Sequence, residues 1–243
     1  MSNNGGVSDP PRAIHIHPTA DLAPRALLPG DPGRALALAQ ELLERPLMFN
    51  HNRGLWGYTG LAPDGQPLTI QATGMGGPSA AIVLEELIFL GVERAVRVGT
   101  AGALGAAAAP LALGELLIAE EAIAADGTSR ALGAGERIAG DPALAGALRR
   151  GSPGARSGPV VTTDLFYEVT AARFEEWAAA GALAIEMESA ALFAVGRLRG
   201  VAVASVLAVT DVLGGGRERI EPAALAAAGI AVGRAGMAAL IDG

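Results

Sequence analysis

The sequence has no cysteine and no lysine: all 18 of its Lys+Arg cations are arginine. Without cysteine there is no disulfide framework, no thiolate nucleophile and no Cys-based metal site. Without lysine there is no Walker-type phosphate loop and no Schiff-base chemistry. Any bound anion must be held by arginine, backbone N–H groups or hydroxyls. Histidine is scarce too, and the spacing of His15, His17 and His51 makes no clear zinc site. Neither a G-x-S-x-G elbow nor a G-x-G-x-x-G fingerprint occurs, so a hydrolase triad and a dinucleotide site lack support. A net charge of −7 counts against a nucleic-acid partner. No unbroken apolar run reaches the roughly 18–20 residues of a membrane span. Residues 1–12, MSNNGGVSDPPR, lack the basic start and apolar core of a signal peptide and read as a disordered tail. The expectation is a cytoplasmic protein that engages neither nucleic acid nor membrane.

What is present is apolar. Of the 243 residues 51% are hydrophobic, enough for one sizeable core, and no linker or repeat divides residues 13–243. Short apolar runs alternate with helical patterns, which predicts an α/β/α layered fold. RALL (25–28), RAVRVG (94–99), LLIA (116–119), PVVT (159–162) and VAVASVLAVTD (201–211) read as strands, the last wholly apolar like a central strand. Residues 46–73 read as a hairpin region turning at PDG. Helices are predicted after Asp31, which can cap one with Pro32 in first position, over PSAAIVLEELIFLG, over 171–180, from Glu188 to Gly200, and from about Pro222 onward. The Ala/Gly-rich residues 101–114 show no clear period.

Three glycine-rich turns are expected after strands: PGDPGR (29–34), TGMGGPS (73–79) and VGTAGALG (98–105). Such turns let the backbone approach a ligand, and a helix N-terminus behind one favours an anion. Taken singly, each also reads as a plain turn. Arg34 falls in the first turn of its helix, where a cation opposes the dipole by a few tenths to about 1 kcal/mol. A bound anion removes that objection. Arg97, between Val96 and Val98, needs a partner. That partner is either a structural glutamate or an oxyanion shared with Arg34, the Thr100 hydroxyl and loop amides, a donor set that fits phosphate. AIEMESAALF (184–193) puts Glu186 and Glu188 in an apolar stretch, where an unpaired carboxylate costs several kcal/mol. On an extended chain the two share a face; a helix starting at Glu188 changes that, and Glu186 can instead pair with a structural arginine. Thr210-Asp211 ends the most apolar strand, and open α/β sheets bind ligands at the carboxyl ends of their strands. Asp211 reads either as an acid partly shielded from water or as a capping residue before GGG.

In chain order, LLPGDPGRA, NRGLWGYTG, TGMGGPSAAIVLEEL, RVGTAGA, TTDLFY, EMESAALF and VTD together resemble the nucleoside phosphorylases of the hexameric purine/uridine type. The resemblance implies a phosphorylase/hydrolase-like α/β/α fold around a mixed sheet and phosphorolysis of purine (deoxy)ribonucleosides. It implies phosphate as co-substrate, no metal or organic cofactor, and a homo-oligomer, a hexamer built as a trimer of dimers, with shared sites. Gly30, Arg34, Arg97 and Thr100 would bind phosphate, and Arg53 would reach the phosphate of a neighbouring subunit. His15, with His17 as competitor, would reach the neighbour's ribose 5′-hydroxyl. Met75 and Met187 would pack on the sugar, Phe166 would stack on the base, and Glu188 would take the ribose 2′- and 3′-hydroxyls. Glu186 would lie beside the base, and Asp211, after Thr210, would be the general acid. The family's arginine after the acid does not align cleanly; Arg217 and Arg219 both compete for it. A uridine phosphorylase is the first alternative, but FYEVTAARFEEW lacks the glutamine that reads uracil. A methylthioadenosine phosphorylase, a hydrolytic nucleosidase and a non-catalytic nucleoside sensor are the others. An arginine clamp counts against water as the nucleophile, and the retained acid counts against a sensor.

Overall fold

The computed structural model describes residues 13–105, 111–167, 169–213 and 217–242; the expected tail at 1–12 lies outside them. In order come β1 (Arg25–Leu28), α1 (Pro32–Leu42), β2 (Glu44–Asn50), β3 (Gly57–Leu61), β4 (Pro67–Gln71), α2 (Gly77–Phe89) and β5 (Arg94–Leu104). Then follow β6 (Leu116–Ala125), α3 (Gly127–Ala131), β7 (Arg137–Ala139), α4 (Pro142–Gly151), β8 (Arg156–Thr163) and α5 (Ala171–Ala179). The chain ends with β9 (Ala184–Glu186), α6 (Ser189–Arg199), β10 (Ala202–Leu213), β11 (Arg217–Arg219) and α7 (Pro222–Asp242). Local chemistry sets several boundaries. The Asp31 carboxylate accepts the Arg34 amide at 2.5 Å with Pro32 in the first turn of α1. Gly200 stops α6 in the left-handed conformation, φ 68°.

The described strands form one mixed sheet in the order β11-β10-β6-β8-β9-β5-β1-β4-β3-β2, with β7 on β6. A further parallel pairing of β10 with β5 closes β5, β9, β8, β6 and β10 into a ring. Alternate residues of β10 face opposite layers. Val203, Leu207 and Val209 join the core that holds Val83 and Leu84 of α2 and Leu192 of α6. Ala204, Val206 and Ala208 join the core that holds Leu38 of α1, Leu148 of α4 and Val232 of α7. The period of two thus builds the three layers expected from the sequence.

The short elements α3, β7, β9 and β11 and helix α4 were not foreseen, and three other regions depart in part from the sequence reading. Residues 98–105 do not turn: β5 runs on to Leu104, with β10 paired alongside as far as Leu213. Its glycines serve close approach, since a Cβ on Gly102 would lie 2.8 Å from Leu213 Cδ1. The edge strand β2 has five exposed residues and contains Pro46, which obscured it. Finally, α7 is apolar and long enough, by composition, to cross a membrane. Arg234 interrupts it, so a search for unbroken runs passes it over. Here it is a core helix. Ala228, Val232 and Ala239 are buried, and Gly233 and Gly236 admit Leu38 and Val98, which a Cβ would meet at 2.2 and 2.6 Å.

Candidate active site

A cavity of about 440 Å³ opens where β1, β4, β8 and β10 end and β9 passes into α6. That volume suits a small organic ligand. Every candidate residue except Arg53, Arg219 and the competing pair His15 and His17 lines it.

Arg97 is the buried cation of the site, 3% exposed. Its Nε donates to Glu186 Oε2 at 3.1 Å and its Nη2 lies 2.5 Å from Glu188 Oε2. Its Nη1 is buried without a hydrogen-bond partner among the described residues. The side chain folds back along β5 over Gly99, two residues on and on the same face. A Cβ at 99 would sit 2.8 Å from Arg97 Cζ, so glycine there makes room for the guanidinium. Arg34 sits close enough to act on Arg97 electrostatically, and its side chain makes no hydrogen bond or ion pair among the described residues. Burial holds the Arg34 pKa below its ordinary value; Arg97 pushes the same way, while Asp31 and Glu188 oppose. Arg97 is paired with two glutamates yet keeps an unused buried donor, and with Arg34 beside it this part of the cavity offers donors to an anion. Thr100 and Gly30 line the same cavity.

The two glutamates divide their work. Glu186 ends β9 with its carboxylate wholly inside the protein. It accepts from Arg97, from the amides of Glu188 at 3.0 Å and Ser189 at 2.9 Å, and from the Thr162 hydroxyl. It therefore caps α6 and holds Arg97. Its carboxylate is committed to protein groups, which leaves little of it for a base. The structural partner considered for Arg97 is thus Glu186, inside the site. Glu188 is the N-cap residue of α6; its Oε1 accepts the Gly76 amide at 2.6 Å. Burial, chiefly, pushes the Glu188 carboxyl up; Glu186 adds to this and Arg97 opposes it. Met187 and, across the cavity wall, Met75 complete this region.

A second group of side chains is more apolar. Phe166, Phe174, Leu165, Val169, Ile185 and Leu213 line it together with Asp211 and Arg217. Asp211 Oδ1 accepts from Arg217 Nε at 2.7 Å, and Oδ2 accepts from Thr210 Oγ1 at 2.9 Å. The Arg219 Nε stays 3.9 Å away. In the β10–β11 hairpin Asp211 lies opposite Arg219, yet its neighbour Arg217 reaches it diagonally. The guanidinium of Arg217 also lies 4.9 Å from the centroid of the Phe166 ring.

Arg53 and His15 stand apart from this chain's cavity. Arg53 is exposed on the turn Asn52–Gly54 in the left-handed region, φ 56°. His15 Nδ1 lies 2.7 Å from Glu86 Oε1, beside a separate hollow of about 480 Å³. His17 binds the Ile14 carbonyl through Nε2 at 2.8 Å. The wall residues Leu165, Phe174, Ile185 and Leu213 were not singled out from the sequence. Leu165 and Ile185 neighbour recognised motifs, whereas Phe174 on α5 carries no local signal. Among the described residues no group of three or more His, Asp or Glu side chains could hold a metal ion.

Residues 24–239 match the family model of the phosphorylase superfamily. The chain is 35% identical over 210 residues to the DeoD-type purine nucleoside phosphorylase of Clostridium perfringens, covering 82% of this chain and 86% of that one. It is 35% identical over 199 residues to the guanosine phosphorylase of Halorubrum lacusprofundi, covering 80% of each. Among solved structures, the uridine phosphorylase of Vibrio fischeri superposes with a TM-score of 0.77 at 31% identity, covering 90% of both chains. Sheet, cavity and these likenesses agree, and the chain belongs to the phosphorylase superfamily.

Proposed function

We propose that the chain is a purine nucleoside phosphorylase, a pentosyltransferase that passes the sugar of a purine ribo- or deoxyribonucleoside to phosphate, giving free base and pentose 1-phosphate. One observation carries the reading: among the described residues the buried Arg97 still has an unused Nη1 after two glutamates are paired, and the nearby Arg34 side chain makes no hydrogen bond or ion pair. A water nucleophile needs no such clamp. The names of the purine- and guanosine-cleaving relatives support the purine reading, as does an acid set among apolar and aromatic walls.

Arg34, Arg97, Thr100 and the Gly30 loop orient phosphate, which is already an anion and needs positioning rather than a base. The glycosidic bond breaks through a state with positive charge on the ribose. Glu188 grips the 2′- and 3′-hydroxyls and stabilises that charge. Glu186 keeps Arg97 and the start of α6 in place. Asp211 gives a proton to purine N7 as the bond breaks, so the base leaves neutral. Phosphate is the co-substrate, and no metal or organic cofactor enters the reaction. The working unit is a homo-oligomer, a hexamer built as a trimer of dimers, in the cytoplasm, with Arg53 and His15 serving a neighbour's site. Supporting this, both lie off their own cavity, and Met75 and Tyr167, each 86% exposed, leave apolar surface to be covered. The test is a panel of adenosine, inosine, guanosine, uridine and methylthioadenosine with phosphate, reading pentose 1-phosphate. Turnover confined to uridine moves the assignment to uridine phosphorylase.

A further inference from the structure

Arg217 has donors that no described residue uses. Its Nε is spent on Asp211, while Nη1 and Nη2 make no hydrogen bond among the described residues. Its stacking on Phe166 limits how far the guanidinium can swing. Arg217, Phe166 and Asp211 all line the cavity, and Arg219 does not.

We infer that Arg217 selects 6-oxopurine nucleosides over 6-aminopurine nucleosides. This rests on the purine phosphorylase reading of the same site. A guanidinium is a donor only and stays charged. Along the N7 edge a 6-oxopurine presents two acceptors, N7 and O6, whereas a 6-aminopurine presents N7 and a donating amino group. Asp211 serves N7, so the 6-substituent falls to the neighbouring donor. O6 accepts from an Arg217 Nη, and that bond strengthens as the departing base spreads negative charge onto O6. A 6-amino group instead meets N–H with N–H and leaves both unpaired. Asp211 already accepts from Arg217 and Thr210, and the form that gives its proton to N7 is the acid, so accepting from a 6-amino group competes with that role on one carboxyl.

The experiment measures kcat/KM for inosine and adenosine at saturating phosphate, in the wild-type protein and in Arg217→Met. The expected wild-type ratio favours inosine by about tenfold or more, the scale of one mismatched polar contact at a partly exposed site. Arg217→Met lowers inosine more than adenosine and draws the ratio towards one. A wild-type ratio at or below one overturns the inference and leaves the purine phosphorylase reading intact. Equal losses on both substrates also overturn it, leaving Arg217 as a holder of Asp211 only. Turnover of uridine with neither purine overturns both readings. Product inhibition of the wild-type protein gives the same preference without a variant: hypoxanthine must inhibit more strongly than adenine, and the reverse order overturns the inference.

Discussion

In Arg34→Met, anion binding and folding are expected to change in opposite directions. Arg34 makes no side-chain hydrogen bond among the described residues, sits in the first turn of α1, and is partly desolvated near a second cation, Arg97. Removing a cation from a helix N-terminus gains about 0.3–1 kcal/mol. Methionine keeps the length of the stem, which runs beside Gly229 of α7. For a domain of this size 1 kcal/mol corresponds to about 2–4 °C, so Tm in phosphate-free buffer should rise by up to about 4 °C. A charge-assisted hydrogen bond to phosphate is worth about 1.5–3 kcal/mol. At about 1.4 kcal/mol per decade, the phosphate KM should rise roughly 10- to 150-fold. The assay pairs thermal unfolding without phosphate with a phosphate titration at fixed inosine. The extra Tm that phosphate gives the wild-type protein should shrink in the variant. A Tm lowered by several degrees without phosphate would make Arg34 a structural residue, and an unchanged phosphate KM would remove it from the anion site.

Gly99→Ala should push Arg97 off Glu188, because the new Cβ would lie 2.8 Å from the guanidinium; about 1–3 kcal/mol of stability should go with it, and normal activity would show that Arg97 geometry is unimportant. Glu188 must be ionised to stabilise the ribose cation and its carboxyl is pushed up. Activity should therefore fall, as pH is lowered, in a range above that of an ordinary glutamate; an acid limb that survives unchanged in Glu188→Gln would belong to another group. Asp211→Asn should cut adenosine turnover by about 10²–10⁴, the usual worth of general acid catalysis, and inosine turnover by less; no loss on either substrate would remove Asp211 from the chemistry. Mixing Arg53→Ala with Arg97→Ala subunits should restore some activity, and failure despite proven subunit exchange would count against a shared site.

The sequence made the site legible where a charged residue stood in an apolar run. Arg97, Glu186 and Glu188 each needed a partner, and the structure makes them one another's partners across 89 residues of chain. That pairing was not legible, because it depends on β9 meeting β5 in the sheet. Residues 98–105 looked like a turn because glycine commonly marks one; only the pairing with β10 shows the glycines making room for Arg97 and Leu213. The choice between Arg217 and Arg219 depended on hairpin geometry. Short apolar runs alternating with helical patterns were enough to predict the layers, whereas edge strand β2, with Pro46 and mostly exposed side chains, gave no such signal.

The account turns on phosphate being the nucleophile, which is most directly tested by following inosine with and without phosphate while measuring hypoxanthine, ribose and ribose 1-phosphate. Base release should require phosphate and should yield ribose 1-phosphate in equal amount. Release of hypoxanthine and free ribose at the same rate without phosphate would contradict the account and make the protein a hydrolase.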